Sequence, residues 1–346
     1  MSHRSINPAK RLVFCWLLAV FVLAGCSDLA KEQLVGFDGS TMGTSYSLRW
    51  VAKGDRQVAE IQQAAEERLA LINQQMSTYI SESEVSRFNA LSSGEMPVSA
   101  ELAGLVQRSQ AISEQTGGAF DITVGPLVNL WGFGPEGRIA SAPTSDKIAS
   151  LRARVGYQKL RVNQNPPSIS KPTNLQIDLS AIAKGYAVDQ LASLLVGKGI
   201  NNYLVEIGGE IKLSGNKPNG ESWRIAIEAP LTTDRAAQNV LPISNIAMAT
   251  SGDYRNYFEE NGVRYSHTIN PLTGAPIKHA LVSVTVLHPS CADADALATA
   301  LMVLGDKEGV EFAKRHDLAA YFLIKAQEGD EFESVATANF DALLKK

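Results

Sequence analysis

Asp295 and Thr299 stand four residues apart in Asp293-Ala294-Asp295-Ala296-Leu297-Ala298-Thr299. On a helix that spacing puts a carboxylate and a hydroxyl on one face, one turn apart. Hard oxygen donors of this kind suit Mg²⁺ better than zinc or copper, and a solvated helix start is the plainer alternative. Asp293, before the first turn, is a candidate cap. A second stretch, Asp178-Leu179-Ser180-Ala181-Ile182-Ala183-Lys184-Gly185, passes from a strand into a helix, with Ser180 as the expected cap. A helix start offers free N–H groups and the positive end of a dipole, and Lys184 adds a cation, which together suit a phosphate. The stretch lacks the glycine spacing of a Walker loop, so an ordinary junction with a solvated lysine is the competing reading. Third, His267 leaves a strand just before the turn Asn270-Pro271-Leu272-Thr273-Gly274. Imidazole is the side chain best suited to accept a proton near neutral pH. His279, His288 and His316 lack comparable surroundings and read as surface or packing residues. Fourth, Gly117-Gly118-Ala119-Phe120-Asp121 opens a flexible loop. There Phe120 is either a stacking surface for a planar ring or a core residue, and Asp121 is an acceptor.

The elements that must position these stretches follow from periodicity. Alternation over Ser45–Val51 predicts a strand ending at Gly54-Asp55. Val58, Ile61, Ala65, Leu69, Ile72 and Met76 recur at helical spacing. A capping box at Ser81-Glu82-Ser83-Glu84 opens a short helix through Leu91, and Ser99 caps a third helix that Gly117-Gly118 stops. An amphipathic helix is predicted at Thr144–Val155. Strands are predicted at Lys159–Val162, Leu175–Leu179, Tyr203–Ile207, Arg224–Glu228, Ile243–Met248 and Leu281–Leu287. Helices near Ala183–Val196 and Asp293–Leu304 fall between them. A helix near Glu308–His316 and a hairpin from Ala320 to Ala336, turning at Glu328-Gly329-Asp330, close the chain. This mixture is α+β and lacks the rhythm of a doubly wound sheet. Gly132-Phe133-Gly134-Pro135-Glu136-Gly137 has G-x-G-x-x-G spacing, but Pro135 sits inside it and no helical face follows, so it reads as a turn-rich loop. No linker divides residues 37–346, read as one unit with two interlocked lobes meeting near 137–145.

Composition narrows the function classes. The 346 residues are 45% hydrophobic and 20% charged, with net charge −4 and three cysteines. Apolar content excludes a disordered chain, and three cysteines exclude a disulfide scaffold. Net acidity argues against a nucleic-acid partner, which needs a basic surface. The charge is uneven: the first 25 residues hold Arg4, Lys10 and Arg11 and no acid, and without them the balance is −7. An apolar run from Leu12 to Ala24 is too short to span a membrane and ends in Leu23-Ala24-Gly25-Cys26, which resembles a bacterial lipobox. On that reading residues 1–25 are a signal peptide, Cys26 carries lipid including palmitate, and residues 26–36 are a tether. The protein is then lipid-anchored at the periplasmic face of the cell membrane, with the inner membrane as the expected address. Cys15 leaves with the signal, and Cys291 is the remaining thiol. A short buried helix containing Cys26 is the alternative.

Taken in order, the four chemical stretches resemble those of the ApbE family of FAD:protein FMN transferases. Gly39-Ser40-Thr41-Met42-Gly43-Thr44, Met76-Ser77-Thr78-Tyr79 with Ser83-Glu84, and Glu206-Ile207-Gly208-Gly209-Glu210 are similar to the remaining family blocks. The resemblance runs from about Phe37 to the C-terminus. It implies a T-fold-like α+β architecture, with antiparallel sheets packed with helices around a flavin site. It also implies a Mg²⁺-dependent reaction in which FAD, as substrate, is cut at its pyrophosphate. AMP leaves, and FMN is joined by a phosphoester to a threonine or serine of a target protein. Carried over by resemblance, Met42, Tyr79, Ala119, Phe120, Asp121, Asp178, Lys184 and Ile269 contact FAD. Asp295, Thr299 and the backbone carbonyl of Ala181 hold the metal, and His267 is the catalytic base. The implied targets are flavin-bearing subunits of membrane redox complexes of the Na⁺-translocating quinone reductase or Rnf type. Two other functions use the same residues: an FAD pyrophosphatase, with water replacing the threonine, and a non-enzymatic flavin-binding lipoprotein, which needs neither metal nor His267.

Overall fold

The computed structural model describes residues 31–54, 57–139, 141–228, 237–252, 257–260, 263–326 and 331–345. Cys26, the segment read as a signal peptide and the turn at Glu328-Gly329-Asp330 lie outside them. Among the described residues, eight strands form a sheet whose order in space is their order in the chain. They are β1 (Glu32–Thr41), β2 (Thr44–Lys53), β3 (Tyr203–Ile207), β4 (Glu210–Ser214), β5 (Ile246–Gly252), β6 (Leu281–His288), β7 (Ala319–Lys325) and β8 (Phe332–Ala336). Every neighbouring pair is antiparallel. Three long helices, α1 (Val58–Met76), α3 (Ala183–Gly197) and α4 (Cys291–Arg315), pack on it, and a fourth, α2 (Ala100–Gln115), packs against α4 and a three-stranded side sheet. The architecture is α+β and not doubly wound. None of the described helices is long and apolar enough to cross a membrane.

Strand alternation assigns the two faces. Leu48 and Trp50 on β2 and Val205 and Ile207 on β3 are buried with Ile61 and Ile72 of α1, Leu191 of α3 and Leu301 of α4 in the principal core. On the opposite face Leu213, Met248, Leu287 and Tyr321 are covered by Trp223 and Ile225 of an antiparallel hairpin and by Phe340 of the last helix. A small third cluster, Leu127, Trp131 and Ile269, underlies the loops around His267. The cap expected at Ser99 is in place, its Oγ accepting from the Leu102 N–H at 3.2 Å. The short helix expected from the box at 81–84 begins instead at Glu84, capped by Ser83 Oγ accepting from the Ser86 N–H at 2.9 Å, while Glu84 accepts from the Ser99 N–H.

Three expectations change. Residues 32–36, read as part of a tether, are the first half of β1, paired from Glu32↔Lys53 onward. Only Phe37 of that strand is fully buried, so its alternation is faint in the sequence. The strand expected at Leu175–Leu179 is extended chain without a ladder. Asn89 replaces the partner strand: its Nδ2 donates to the Ile177 carbonyl and its Oδ1 accepts from the Ile177 N–H, both at 2.8 Å. The two helices expected at 293–304 and 308–316 are both present, adjoining within α4 at Gly305, whose φ of 83° and ψ of −168° are not helical. The strand expected at Ile243–Met248 is two strands, Ala237–Ile243 and β5, parted at Asn245, φ 55°.

The extended segment is also held by Lys171, on a three-stranded side sheet. Its side chain is buried, with Nζ donating to the Leu175 carbonyl at 2.5 Å above the Phe88 ring. Burial pulls its pKa from 10.5 down to about 8. Between those values the unfolded chain binds a proton that the folded chain does not, so stability rises with pH across that window. Urea unfolding from pH 8 to 10.5 is expected to show this rise in the parent and a flatter curve in Lys171→Met. Parallel curves would show that the ammonium is not desolvated.

Candidate active site

α3 and α4 begin side by side. A Cβ on Gly185, in the first turn of α3, would overlap the Cys291 carbonyl and lie 2.9 Å from Ala292 Cα. That close crossing brings the Gly185 N–H to Asp295 Oδ2 at 3.1 Å. No side chain of its own caps α3. The neighbouring helix therefore supplies the anion that a helix N-terminus attracts. Ser180, the expected cap, lies too early; its N–H and Oγ both donate to Asp178 Oδ1, at 2.8 and 2.5 Å.

Lys184 reaches Glu210 Oε1 of β4 at 2.6 Å. Glu210 and Asp295 are only 3% and 4% exposed. Burial pushes Glu210 up to about 7 against the pull of Lys184, with Asp295 adding to the rise. Burial likewise raises Asp295. For Lys184 burial acts downward, but the charges of Glu210 and Asp295 outweigh it and raise its pKa. Glu210 Oε2 is buried with no hydrogen-bond partner. Two carboxylates facing one ammonium leave a surplus of negative charge in a nearly dry space, which a divalent cation would relieve. Thr299, one turn beyond Asp295, has its Oγ1 3.3 Å from Ser251 Oγ on β5. The donors available here are oxygens, which fits Mg²⁺. Among the described residues no three His, Cys, Asp or Glu side chains form a metal cage. Mg²⁺ needs none, because it keeps waters and substrate phosphates among its ligands.

The surrounding loops are tied to this cluster. Met42 and Gly43 form the β1–β2 turn with φ of 49° and 73°, the positive values a type I′ turn requires. Ser40 to Thr44 line an open groove of about 420 Å³. Asn73 of α1 donates to Thr41 Oγ1 at 3.1 Å, and the Gly208 N–H donates to the Ser45 carbonyl at 3.1 Å. The Glu206–Glu210 turn thus sits against the Met42 turn. Tyr79 is 69% exposed; partial desolvation and then the Asp178 carboxylate raise its pKa. The Asp178 N–H donates to the Ile122 carbonyl at 2.7 Å, joining the second stretch to the fourth.

In that fourth stretch the Phe120 ring is 2% exposed and lies, with Ala119, in the principal core. Asp121 accepts from the Thr123 N–H and hydroxyl and from the Tyr157 N–H, at 2.8, 2.7 and 2.9 Å. Burial raises its pKa against those bonds. These side chains shape the loop. His267 is half-buried beyond the last residue of the strand Val263–Ser266, and Ile269 packs with Leu127 and Trp131. Asn270 Oδ1 accepts from the Leu272 and Thr273 N–H groups at 2.8 and 3.2 Å, fixing the turn. Leu272 Cδ2 comes within 3.5 Å of where a Gly118 Cβ would stand, so the third stretch meets the fourth.

Sequence reasoning assigned no role to Glu210, Ser251, Phe133 or Arg108. Glu210 had a signal: a lysine buried at a helix start requires a counter-charge. Arg108 grips Asp293 through two bonds of 2.7 and 2.5 Å, tying α2 to α4, while Ser290 caps α4. Asp293, the expected cap, is therefore an inter-helix anchor.

Known proteins share this sequence and fold. The sequence model of the ApbE family matches residues 42–322. The FAD:protein FMN transferase of Vibrio cholerae serotype O1 is 44% identical over 336 residues, covering 96% of this chain and 99% of that protein. The Escherichia coli K12 protein of the same name is 39% identical over 338 residues, covering 95% and 96%. The solved flavin transferase ApbE from Vibrio cholerae has a TM-score of 0.83 at 42% identity, covering 90% of this chain and all of that one. The apo flavinyl transferase ApbE of Pseudomonas stutzeri has a TM-score of 0.84 at 43% identity, covering 92% and 99%. With both sequence and fold shared over nearly the whole chain, the protein belongs to the ApbE family.

Proposed function

We propose that this chain is a flavin transferase that takes FAD as substrate, joins its FMN portion to a threonine or serine hydroxyl of an acceptor protein, and releases AMP. The observation that carries the reading is the buried cluster of Lys184, Glu210 and Asp295, with Thr299 one turn on. It combines surplus negative charge, oxygen donors and an ammonium, as handling a pyrophosphate with a divalent cation requires. Relatives bearing the name FAD:protein FMN transferase, similar over almost the whole chain, support it.

Asp295, Thr299 and the Ala181 carbonyl would hold Mg²⁺, whose chemistry here is to neutralise charge growing on the pyrophosphate. Met42, Tyr79, Asp178, Lys184, Ile269 and the Ala119-Phe120-Asp121 backbone would bind and orient FAD. His267 takes the proton of the acceptor hydroxyl as that oxygen bonds to the FMN-side phosphorus. The bond from this phosphorus to the bridging oxygen breaks, and the oxygen leaves with AMP. Acceptors of the Na⁺-translocating quinone reductase or Rnf type, and an anchor through Cys26 at the periplasmic face of the inner membrane, complete the proposal. The Leu23-Ala24-Gly25-Cys26 motif supports the anchor.

Incubation with FAD, Mg²⁺ and a flavin-bearing subunit of a Na⁺-translocating quinone reductase should put FMN on one threonine, as read by mass spectrometry. AMP released equally fast without that subunit would identify an FAD pyrophosphatase instead. Asp295→Ala is expected to abolish Mg²⁺-dependent transfer; full activity would overturn the metal assignment. His267→Ala should bind FAD like the parent by flavin fluorescence yet transfer FMN ~10²–10⁴-fold more slowly. An unchanged rate would remove it as the base.

A further inference from the structure

The loop Gly132–Gly137 has the glycine spacing of a dinucleotide site without its strand and helix, and the reaction gives it no task. It nevertheless runs beside the segment that carries His267. Trp131 and Phe133, two residues apart, meet Tyr265 and His267, also two apart. The Trp131 and Tyr265 rings have centroids 5.5 Å apart with planes at 30°, and those of Phe133 and His267 are 6.4 Å apart at 69°. Matched pairs at the same two-residue step show that the loop follows the chain from the strand Val263–Ser266 into the bend beyond it. Ser266, opposite Tyr257, is the last residue in that strand's ladder, so His267 is outside it.

The loop itself is firmly held. Trp131 Nε1–H donates to the Gly274 carbonyl at 2.8 Å, bridging to the turn that follows His267. The Trp131 and Phe133 N–H groups donate to the Leu127 and Val128 carbonyls, both at 3.0 Å. Gly132, between the two aromatics, takes φ 75°, a left-handed value that favours glycine. Gly134 lies so close to the Asn129 side chain that a Cβ would overlap its amide.

We propose that Phe133 is a positioning residue for His267. An aromatic ring set edge to face against the imidazole favours one ring orientation. A proton acceptor that must meet one incoming hydroxyl loses rate when its orientation is spread. This inference rests on His267 as the base in the reaction proposed above.

The test measures kcat for FMN transfer to the quinone reductase subunit, FAD affinity by flavin fluorescence, and the melting temperature. Phe133→Ala is expected to lower kcat ~10-fold at saturating FAD, leaving FAD affinity and melting temperature near the parent's. Phe133→Tyr should restore most of the rate, and Phe133→Ala should add no loss in a His267→Ala background. Parent kcat in Phe133→Ala, failure of Phe133→Tyr to rescue, or the same ~10-fold loss without His267 would overturn the proposal. His267→Ala at the parent rate would remove the base and this inference together. An impaired His267→Ala beside a fully active Phe133→Ala would remove this inference alone.

Discussion

Two carboxylates and one ammonium share a nearly dry space where α3 and α4 begin, and the rest of the molecule is arranged to keep them there. Moving each ion out of water costs several kcal/mol unless a partner is held in place. Rigid elements supply those partners: β4 contributes Glu210, α3 Lys184 and α4 Asp295. The absent side chain of Gly185 sets how closely the helices cross. The capping is reciprocal. Asp295 of α4 receives an N–H from the start of α3, and Asp189 of α3 receives the Ala292 N–H at the start of α4 at 3.1 Å. β4 balances both: Glu210 faces Lys184 and, two residues on along the same face, Lys212 faces Asp189 at 2.6 Å. The anchoring and the candidate chemistry thus use one set of charges.

Where a single element announces itself by its own period, it is legible in the sequence. α1, α2, α3, β2, β3 and β6 fall close to their predicted positions, because burial on one face imposes a repeat. The failures share a cause: a backbone or side chain satisfied by something distant. Leu175–Leu179 has strand composition, yet its hydrogen bonds go to the side chain of Asn89. Ser180 looks like a cap, but the anion at α3 comes from a helix more than a hundred residues later. Phe120 fits a ligand platform or a core equally well until its neighbours are known.

The candidate site was legible as types and order but not as partnerships. Asp295, Thr299, Lys184 and His267 stand out because each offers chemistry at a recognisable local position. Glu210, Ser251 and Phe133 come to notice only through the groups they face, Lys184, Thr299 and His267, and nothing in their own neighbourhoods names those groups. Glu210 was visible only as the last letter of a glycine-centred turn. Its unpaired oxygen gives it an interest that the turn does not.

The eight strands of the main sheet keep their chain order in space, with the side sheet and the small hairpins inserted between them in the chain. β2 therefore finds its partner β3 only across residues 54–202. Lys184 and Glu210 alone would cancel. Asp295, on α4, turns that neutral pair into a group with net negative charge. The pull on a divalent cation thus depends on the segment from Cys291 onward, more than a hundred residues beyond Lys184.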